Sequence, residues 1–261
     1  MNITKIKSVG NKKLRILLTG HKGFIGKALF NRLVHHEIIG IDLVDGDNLL
    51  YCDLPKDIDL VIHLAGRSGV RESVKDPSAY WMNNIEASRR LFERYPDTRI
   101  LYASSSSAYE PSLNPYAASK HVLEDLAGCY ANTLGMRFHT VYSDIPRKGM
   151  FFDKLLNGGL EYVTRHHRDF VHLTDVLDAI EILINAVHVN GVLDIGSGVP
   201  VRIQDLTSGL PVRLNTPGER EHTCANLEKM RALGFEPKYS VDKFLTNAKK
   251  GVIINLFNGE T

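Results

Sequence analysis

The sequence predicts an α/β chain built on a doubly wound parallel sheet, and three observations carry that prediction. Short apolar runs of strand length alternate with amphipathic stretches of helix length over the first half of the chain. The first of those runs passes directly into a loop of spaced glycines, Gly20-His-Lys-Gly23-Phe-Ile-Gly26, and then into a helical pattern. A later run ends in four consecutive serines and is followed by a tyrosine and a lysine four residues apart.

Taken in order, residues 1–13 read as a polar lead-in, basic but without an apolar run and cleavage site after it. Leu14–Thr19 has the length and composition of a buried parallel strand. Strand, glycine turn and the helix KALFNRLVHH then form the arrangement in which backbone N–H groups at a helix start cradle a pyrophosphate. The second strand, Glu37–Ile41, ends at Asp42. A carboxylate there accepts from both ribose hydroxyls and repels a 2′-phosphate, which favours NAD over NADP. Asp59–Leu64 is the next clear strand, but only residues 43–58 precede it. A parallel crossover takes about a dozen residues, so the third strand is expected to be vestigial, Leu49–Cys52 at most, with its helix missing.

Leu64-Ala65-Gly66 closes that strand at its C-terminal end, where open α/β sheets bind ligands. A long helix over Asp76–Tyr95, with Asn84 near its middle, leads to the strand Ile100–Ala103. Asn114-Pro115 opens a helix running to about Leu134, and Met136–Tyr142 is a further strand. Beyond Tyr142 the pattern is irregular, with a helix at Phe151–Leu156. Thr174–Val189 and Gly191–Ile195 read as a helix and strand returning to the sheet, followed by short helices near Ile203–Ser208, Asn226–Leu233 and Val241–Lys249. The tail after Gly251 carries no assignment. The sheet is therefore Rossmann-like with a reduced third strand. The expected division is 1–143 with 170–196 as a dinucleotide-binding domain, and 144–169 with 197–261 as a small C-terminal substrate domain.

Composition narrows the function. At 261 residues, 43% apolar and 24% charged, the chain has ample core-forming material, and its net charge of +2 gives no reason to expect nucleic acid or an anionic membrane. Cys52, Cys129 and Cys224 are far apart and form no CxxC pair, so neither disulfides nor a metal site is expected. The most apolar helix, Val176–Val189, is too short to span a bilayer and carries Asp178 and Glu181. The default compartment is the cytoplasm.

The chemistry is concentrated between Arg99 and Lys120. Residues four apart share a helix face, so the Lys120 ammonium can sit beside the Tyr116 phenol. Bringing a phenol from a pKa of about 10 to about 7 takes roughly 4 kcal/mol. One ammonium at about 5 Å, at an effective dielectric of about 20, supplies some 3 kcal/mol. A serine hydroxyl from the strand end, among Ser104–Ser107, would hold the substrate oxygen and relay its proton. A second such pair, Tyr239–Lys243, follows Glu236-Pro237-Lys238 near the C-terminus and reads as surface.

With these residues assembled, the chain resembles the extended short-chain dehydrogenase/reductase family, specifically its NAD-dependent nucleotide-sugar epimerases and dehydratases. The strings are TGHKGFIG, HLAG, YASSSSAY, NPYAASK, RDFVHLTDV, DIGSG and PGEREHTCANLEKMRALGFEPK, in that order. The resemblance implies a pyrophosphate loop at Gly20, Gly23, Phe24, Ile25 and Gly26, a ribose ligand at Asp42, adenine contacts at Asp53 and Leu54, and a nicotinamide-side strand end at Leu64, Ala65 and Gly66. It implies a catalytic set of Ser105, Tyr116 and Lys120, the last two also touching NAD, and a supporting Asn84. Arg168 matches the arginine that grips the substrate diphosphate; the second expected arginine falls near Thr216, where Arg213 or Arg220 is the available substitute.

Dehydratases of the family carry Asp-Glu where this chain has Ser106 and Ser107. The strings AGRSGVRESVKDPSAY and RFHTVYSDIPRKGM are most similar to the UDP-glucuronate 4-epimerases, which places Arg71, Ser106, Thr140 and Arg147 among the expected substrate contacts. The loop between Tyr109 and Tyr116 and the segment Arg202–Thr223 are shorter than the family's. The expected activity is an NAD-dependent 4-epimerase of a nucleotide sugar, a UDP-sugar by resemblance, working as a homodimer. A 4-keto-sugar reductase and an NAD-binding protein with a degenerate pocket remain as alternatives.

Overall fold

The computed structural model describes residues 12–214 and 216–249; the start of the polar lead-in and the tail after Gly251 lie outside the described residues. The elements run β1 (Arg15–Thr19), α1 (Phe24–Arg32), β2 (Glu37–Ile41), β3 (Leu60–His63), α2 (Val70–Lys75), α3 (Pro77–Trp81), α4 (Ala87–Arg94), β4 (Arg99–Ser105), α5 (Pro115–Gly128), β5 (Thr133–Phe138), β6 (Thr140–Tyr142), α6 (Phe151–Leu156), β7 (Val163–Thr164), β8 (His167–His172), α7 (Leu173–Asn185), β9 (Gly191–Ile195), β10 (Pro200–Arg202), β11 (Val212–Arg213), α8 (Glu228–Ala232) and α9 (Val241–Lys249). The chain divides into two compact units: one runs to Arg137 and takes in Leu177–Leu193, the other comprises Phe138–Val176 and the chain from Asp194. β6 and β8 thus fall in the second unit, where the sequence reading had placed 138–143 and 170–176 in the first.

The main sheet has the order β2-β1-β3-β4-β5-β9, with parallel pairing of β1 to β2, of β1 to β3, and of β3 to β4. Leu17, Val61, Ile100 and Tyr102 face Ala87, Leu91, Phe92, Leu123 and Ala127 in one buried cluster, so α4 and α5 cover one face. Ile16 and Leu18 alternate with Leu17 and point the other way, both fully buried. Arg32 of α1 donates to Asp178 and Glu181 of α7 at 2.7 Å, which sets these two helices side by side.

The third strand is absent rather than reduced: among the described residues no strand lies between β2 and β3. Leu49–Cys52 forms a turn, and the polar groups a ladder would have paired find other partners. The Arg90 guanidinium donates to the carbonyls of Leu49 at 2.5 Å and Cys52 at 2.7 Å, and the Tyr95 hydroxyl donates to that of Pro55 at 2.7 Å. Leu49 and Ile58 enter the core from this segment. A helix thus holds in place what a strand and its own helix would otherwise occupy.

Two other boundaries moved. The helix expected to reach Leu134 stops at Gly128, where Cys129 and Tyr130 close the last turn on the carbonyls of Leu126 and Ala127. The Thr133 hydroxyl also donates to the Ala127 carbonyl at 2.8 Å, so Thr133 and Leu134 are free to open β5. The stretch Met136–Tyr142 is divided between sheets at His139: β5 stays in the main sheet, while β6 pairs in parallel with β8.

In the second unit, β10-β8-β6 forms a small sheet. Tyr142, Phe152, Phe170, Leu206, Val241 and Phe244 make its core, with the Phe244 ring edge-on to Tyr142 and Phe152 at 5.2 Å and those two tilted at 5.4 Å. The fully buried Asp169 organises the unit. Its carboxylate accepts from the backbone of Ser197 at 2.6 Å and of Gly198 and Ala225 at 2.9 Å, and from the Ser197 hydroxyl at 2.8 Å. A buried carboxylate is costly unless its oxygens are hydrogen-bonded, and these donors tie the RDF, DIGSG and CAN strings of the sequence together physically.

Candidate active site

The glycine turn builds the first part of the site. Gly20 adopts φ +72, and a Cβ there would stand 2.6 Å from the Ala65 nitrogen, so only glycine lets β1 and β3 end this close together. A Cβ on Gly26 would fall on the Gly20 carbonyl oxygen. Gly23 is the N-cap of α1 with no side-chain hydrogen bond, and α1 has no acidic residue in its first turn. The helix therefore begins with N–H groups that no side chain caps and a positive dipole end, which suits a pyrophosphate.

A cavity of about 270 Å³ extends from this turn, lined by Gly20, Lys22, Gly23, Asp42, Asn48, Leu49, Leu64, Ala65, Gly66 and Arg67 among others. Asp42 Oδ2 accepts from the Lys22 backbone at 2.9 Å and Oδ1 from that of Val44 at 3.0 Å, leaving lone pairs for ribose hydroxyls. Asp47, Asn48 and Leu49 form the wall where Asp53 and Leu54 had been expected; Asp53 is exposed and outside this lining, and Leu54 packs against the core cluster. Phe24, Ile25 and Gly26 lie behind the turn, in α1. A bare helix start, a ribose carboxylate and a glycine cradle of this depth fit an NAD.

The residues expected to carry the chemistry meet at the end of β4 and the start of α5. Asn114 caps α5 by accepting from the Ala117 backbone at 2.8 Å, with Pro115 in the first turn, and this sets Tyr116 at the helix start. Tyr116 is hydrogen-bonded to Ser105. Lys120 is buried and donates to the Ala103 carbonyl at 2.7 Å; a Cβ on Gly66 would stand 3.6 Å from its Nζ. Desolvation pushes the Lys120 ammonium down to about 8, opposed by Glu124. The expected lowering of Tyr116 is not what the chain alone produces: desolvation raises the phenol, the Ser105 hydrogen bond pulls it down, and the Tyr80 phenol pushes it up.

Behind these groups runs a polar network that the motif reading did not include, except for Asn84. His63 bridges the Thr19 hydroxyl at 2.7 Å and the Ser88 hydroxyl at 2.8 Å, and Ser88 donates to the Asn84 carbonyl at 2.8 Å. Asn84 lies in a π turn, Met82–Glu86, that interrupts the long helix expected over Asp76–Tyr95. The Tyr80 hydroxyl points at the carbonyls of Ser68 and Gly69 at 2.8 and 2.9 Å, while its ring meets that of Tyr116 at 6.1 Å, edge-on. The spacing of Tyr80 and Asn84, one turn apart on the helix that precedes β4, was the available signal for both. Ser106 is buried in the turn after β4, and Arg71 is exposed on α2.

The remaining expected substrate residues belong to the second unit. Thr140 opens β6, and Arg147 is exposed before α6. Arg168 on β8 donates to His166 Nδ1 at 3.0 Å, and its guanidinium lies 3.7 Å from Glu219. His166 Nε2 is then the protonated nitrogen and donates to the Thr216 hydroxyl at 2.8 Å. Burial and Arg168 together lower the His166 pKa, in keeping with a neutral ring. Arg213 is stacked over Tyr162 at 3.9 Å, whereas Arg220 lies close enough to Arg168 to help burial lower its pKa. Tyr239 stacks on His172 at 4.2 Å, and its backbone donates to Asp175, consistent with a packing role for that residue.

A glycine turn at the end of the first strand and a Ser–Tyr–Lys set on the fourth strand and the helix after it define a dinucleotide-dependent enzyme of the short-chain dehydrogenase/reductase type. The chain belongs to the NAD dependent epimerase/dehydratase family, whose model matches residues 16–196. YtcB of Bacillus subtilis, an uncharacterized UDP-glucose epimerase, is 28% identical over 95% of this chain and all of its own length. A probable UDP-glucuronate 4-epimerase of Rhizobium meliloti is 26% identical over 88% of this chain and 94% of its own. Among solved structures, the UDP-glucuronic acid 4-epimerase of Bacillus cereus, in complex with UDP-glucuronic acid and NAD, superposes with a TM-score of 0.81 at 26% identity, covering 93% of this chain and all of that one.

Proposed function

We propose that this protein is an NAD-dependent 4-epimerase of a UDP-hexose or UDP-hexuronate. The observation that carries the proposal is the hydrogen-bonded Ser105–Tyr116 pair, with Lys120 one turn further along α5 and next to Gly66 in the cavity wall. The relatives described above, read as epimerases of UDP-sugars, support the substrate class.

In this reading Gly20, Gly23 and the start of α1 hold the pyrophosphate, and Asp42 holds the adenosine ribose. NAD supplies a reversible hydride acceptor for C4 when bound. Tyr116 removes the proton of the C4 hydroxyl, and Ser105 holds that oxygen and relays the proton. The buried phenol needs a nearby positive charge to act as a base near neutral pH, and Lys120, still largely protonated at pH 7, provides it. Tyr116 returns the proton once the sugar has presented its other face, so no net oxidation accompanies turnover. Arg168, Arg220, Arg71 and Arg147 are assigned to the diphosphate and an acidic sugar, and Ser106 and Thr140 to sugar hydroxyls.

The same reading includes a homodimer formed through the faces of α3, the π turn and α5, where Trp81, Met82 and Val122 are exposed. No helix among the described residues is long and apolar enough to cross a membrane, and a cytoplasmic role in carbohydrate biosynthesis completes the proposal.

Proton NMR of the protein with NAD and a panel of UDP-sugars, UDP-glucuronate included, tests the reading. Interconversion of C4 epimers without net NADH is expected. Steady consumption of reduced cofactor with a 4-keto sugar would replace it with a reductase, and NAD binding without turnover on any sugar would replace it with a degenerate pocket.

A further inference from the structure

We propose that Asp45 is a second cofactor-specificity residue, one that withholds Lys22 and His21 from the ribose corner of the cavity and so reinforces the rejection of a 2′-phosphorylated dinucleotide. The proposal rests on the dinucleotide reading of that cavity and adds to it a residue that the motif does not contain.

The corner is built by the turn that follows β2. Asp42 accepts from the Val44 backbone and starts a single tight turn, Leu43–Asp45, closed by Gly46 at φ 93. The turn points Asp45 back at the glycine loop. Its Oδ2 lies 3.1 Å from His21 Nε2 and its Oδ1 3.4 Å from Lys22 Nζ, so one carboxylate engages both basic residues of the loop.

His21 has little freedom to leave. A Cβ on Gly40 would stand 2.7 Å from three of its ring atoms, so the imidazole lies flat on the glycine of β2, and its other side meets the Phe30 ring at 5.6 Å. Lys22 lines the cavity together with Asp42 and Asp47. The other cation in that wall, Arg67, belongs to the loop after β3 and faces Asp76 at 3.8 Å.

The electrostatic consequence follows from the count. Without Asp45, an uncommitted Lys22 is free to reach a phosphate in the corner and to offset part of the charge of Asp42 and Asp47. With Asp45 engaging Lys22, the carboxylates of Asp42, Asp45 and Asp47 outnumber the ammonium, and a dianionic 2′-phosphate meets net negative charge. A ribose hydroxyl, which donates to Asp42, is unaffected. The pair is half exposed, with Lys22 at 48% and Asp45 at 38%, so its effect is on the scale of about tenfold rather than a thousandfold.

The test is calorimetric titration of the protein, its Asp45→Ala variant and the double variant Asp45→Ala/Lys22→Met with NAD⁺ and with NADP⁺, at low and high salt. The single variant should bind NADP⁺ about tenfold more tightly, with NAD⁺ affinity changed less than threefold. The double variant should lose that gain, and added salt should shrink it. An unchanged NADP⁺ to NAD⁺ ratio in Asp45→Ala, or a gain that survives Lys22→Met, overturns the proposal while the unaltered protein still binds NAD⁺. Failure of the unaltered protein to bind either dinucleotide overturns the cavity's reading as well. The Asp45 side chain is 38% exposed, and Asp45→Asn, which keeps its shape, should move the ratio in the same direction.

Discussion

The side-chain nitrogen of Asn84 lies 2.9 Å from the Ser119 hydroxyl, one residue before Lys120. The same amide grips the loop after β3 at two points, donating to the Arg67 carbonyl at 3.0 Å and accepting from the Arg67 nitrogen at 2.7 Å. Asn84 thus ties the cavity wall to the catalytic helix from within a π turn. Its replacement leaves buried partners unpaired, a loss of about 1–3 kcal/mol. Asn84→Ala should therefore lower stability by that amount and weaken NAD binding about tenfold. Denaturant titration and cofactor titration read the two effects, and an unchanged cofactor affinity would reduce Asn84 to a helix-packing residue.

Tyr116→Phe removes one hydroxyl and leaves the ring against Tyr80. Turnover should fall at least about a thousandfold and that of Ser105→Ala about ten- to a hundredfold, the range of a lost acid–base group and its partner. Affinity for NAD should stay within about threefold in both. Unaltered turnover in Tyr116→Phe would remove the phenol from the chemistry.

Lys120 carries a sign that can be checked without substrate. Burial pushes its pKa down to about 8 in the folded protein, against an ordinary value of 10.5. The unfolded chain therefore holds more protons between those values, and this group's contribution to stability rises as pH goes from about 8 to 10.5. Below that window its burial as a charge costs up to about 3 kcal/mol. Lys120→Met should consequently be no less stable than the natural protein at pH 7, with the difference closing toward pH 10.5, while turnover is lost. A variant markedly less stable at pH 7 would contradict the desolvation argument.

His63 gives the opposite end of the pH scale. Burial lowers it from 6.5 to about 3, assisted by the Lys120 charge, so the folded ring is neutral where the unfolded one is protonated. Its contribution is present above pH 6.5 and is lost as pH falls toward 3, with an upper bound of about 5 kcal/mol. His63→Gln should show a shallower fall in melting temperature between pH 6.5 and 4 than the natural protein. Parallel curves would show that His63 is protonated at little cost.

Gly26→Ala tests the cradle directly. The new methyl would fall on the Gly20 carbonyl oxygen, a backbone atom that cannot turn aside. Either the glycine loop shifts, and NAD affinity drops by at least about a hundredfold, or the unit loses several kcal/mol of stability. Wild-type affinity and stability together would mean that the loop is more pliant than its packing indicates.

Ser105 was singled out by family resemblance, whereas the order of most elements, the glycine loop, Asp42 at the end of β2 and the Tyr116–Lys120 spacing could be read from the sequence itself. Each depends on local periodicity, on turn chemistry or on spacing along one helix, and those are properties of neighbouring residues. The missing crossover helix was also legible, because residues 43–58 are too few for a strand with two crossovers, but a short strand at Leu49–Cys52 was expected and none forms there. What tertiary structure decided was how the gaps were filled. Arg90 and Tyr95 satisfy the carbonyls of the missing strand from a helix forty residues away in sequence or nearly so. Desolvation sets the direction of the Tyr116 and Lys120 shifts, and the turn after β2 delivers Asp45 to Lys22. The strand β8, with its histidines, Arg168 and Asp169, escaped the apolar pattern because its stability comes from pairing with β6 and β10 and from the donors that surround Asp169. Burial and long-range pairing are properties of the folded whole, and no window of sequence contains them.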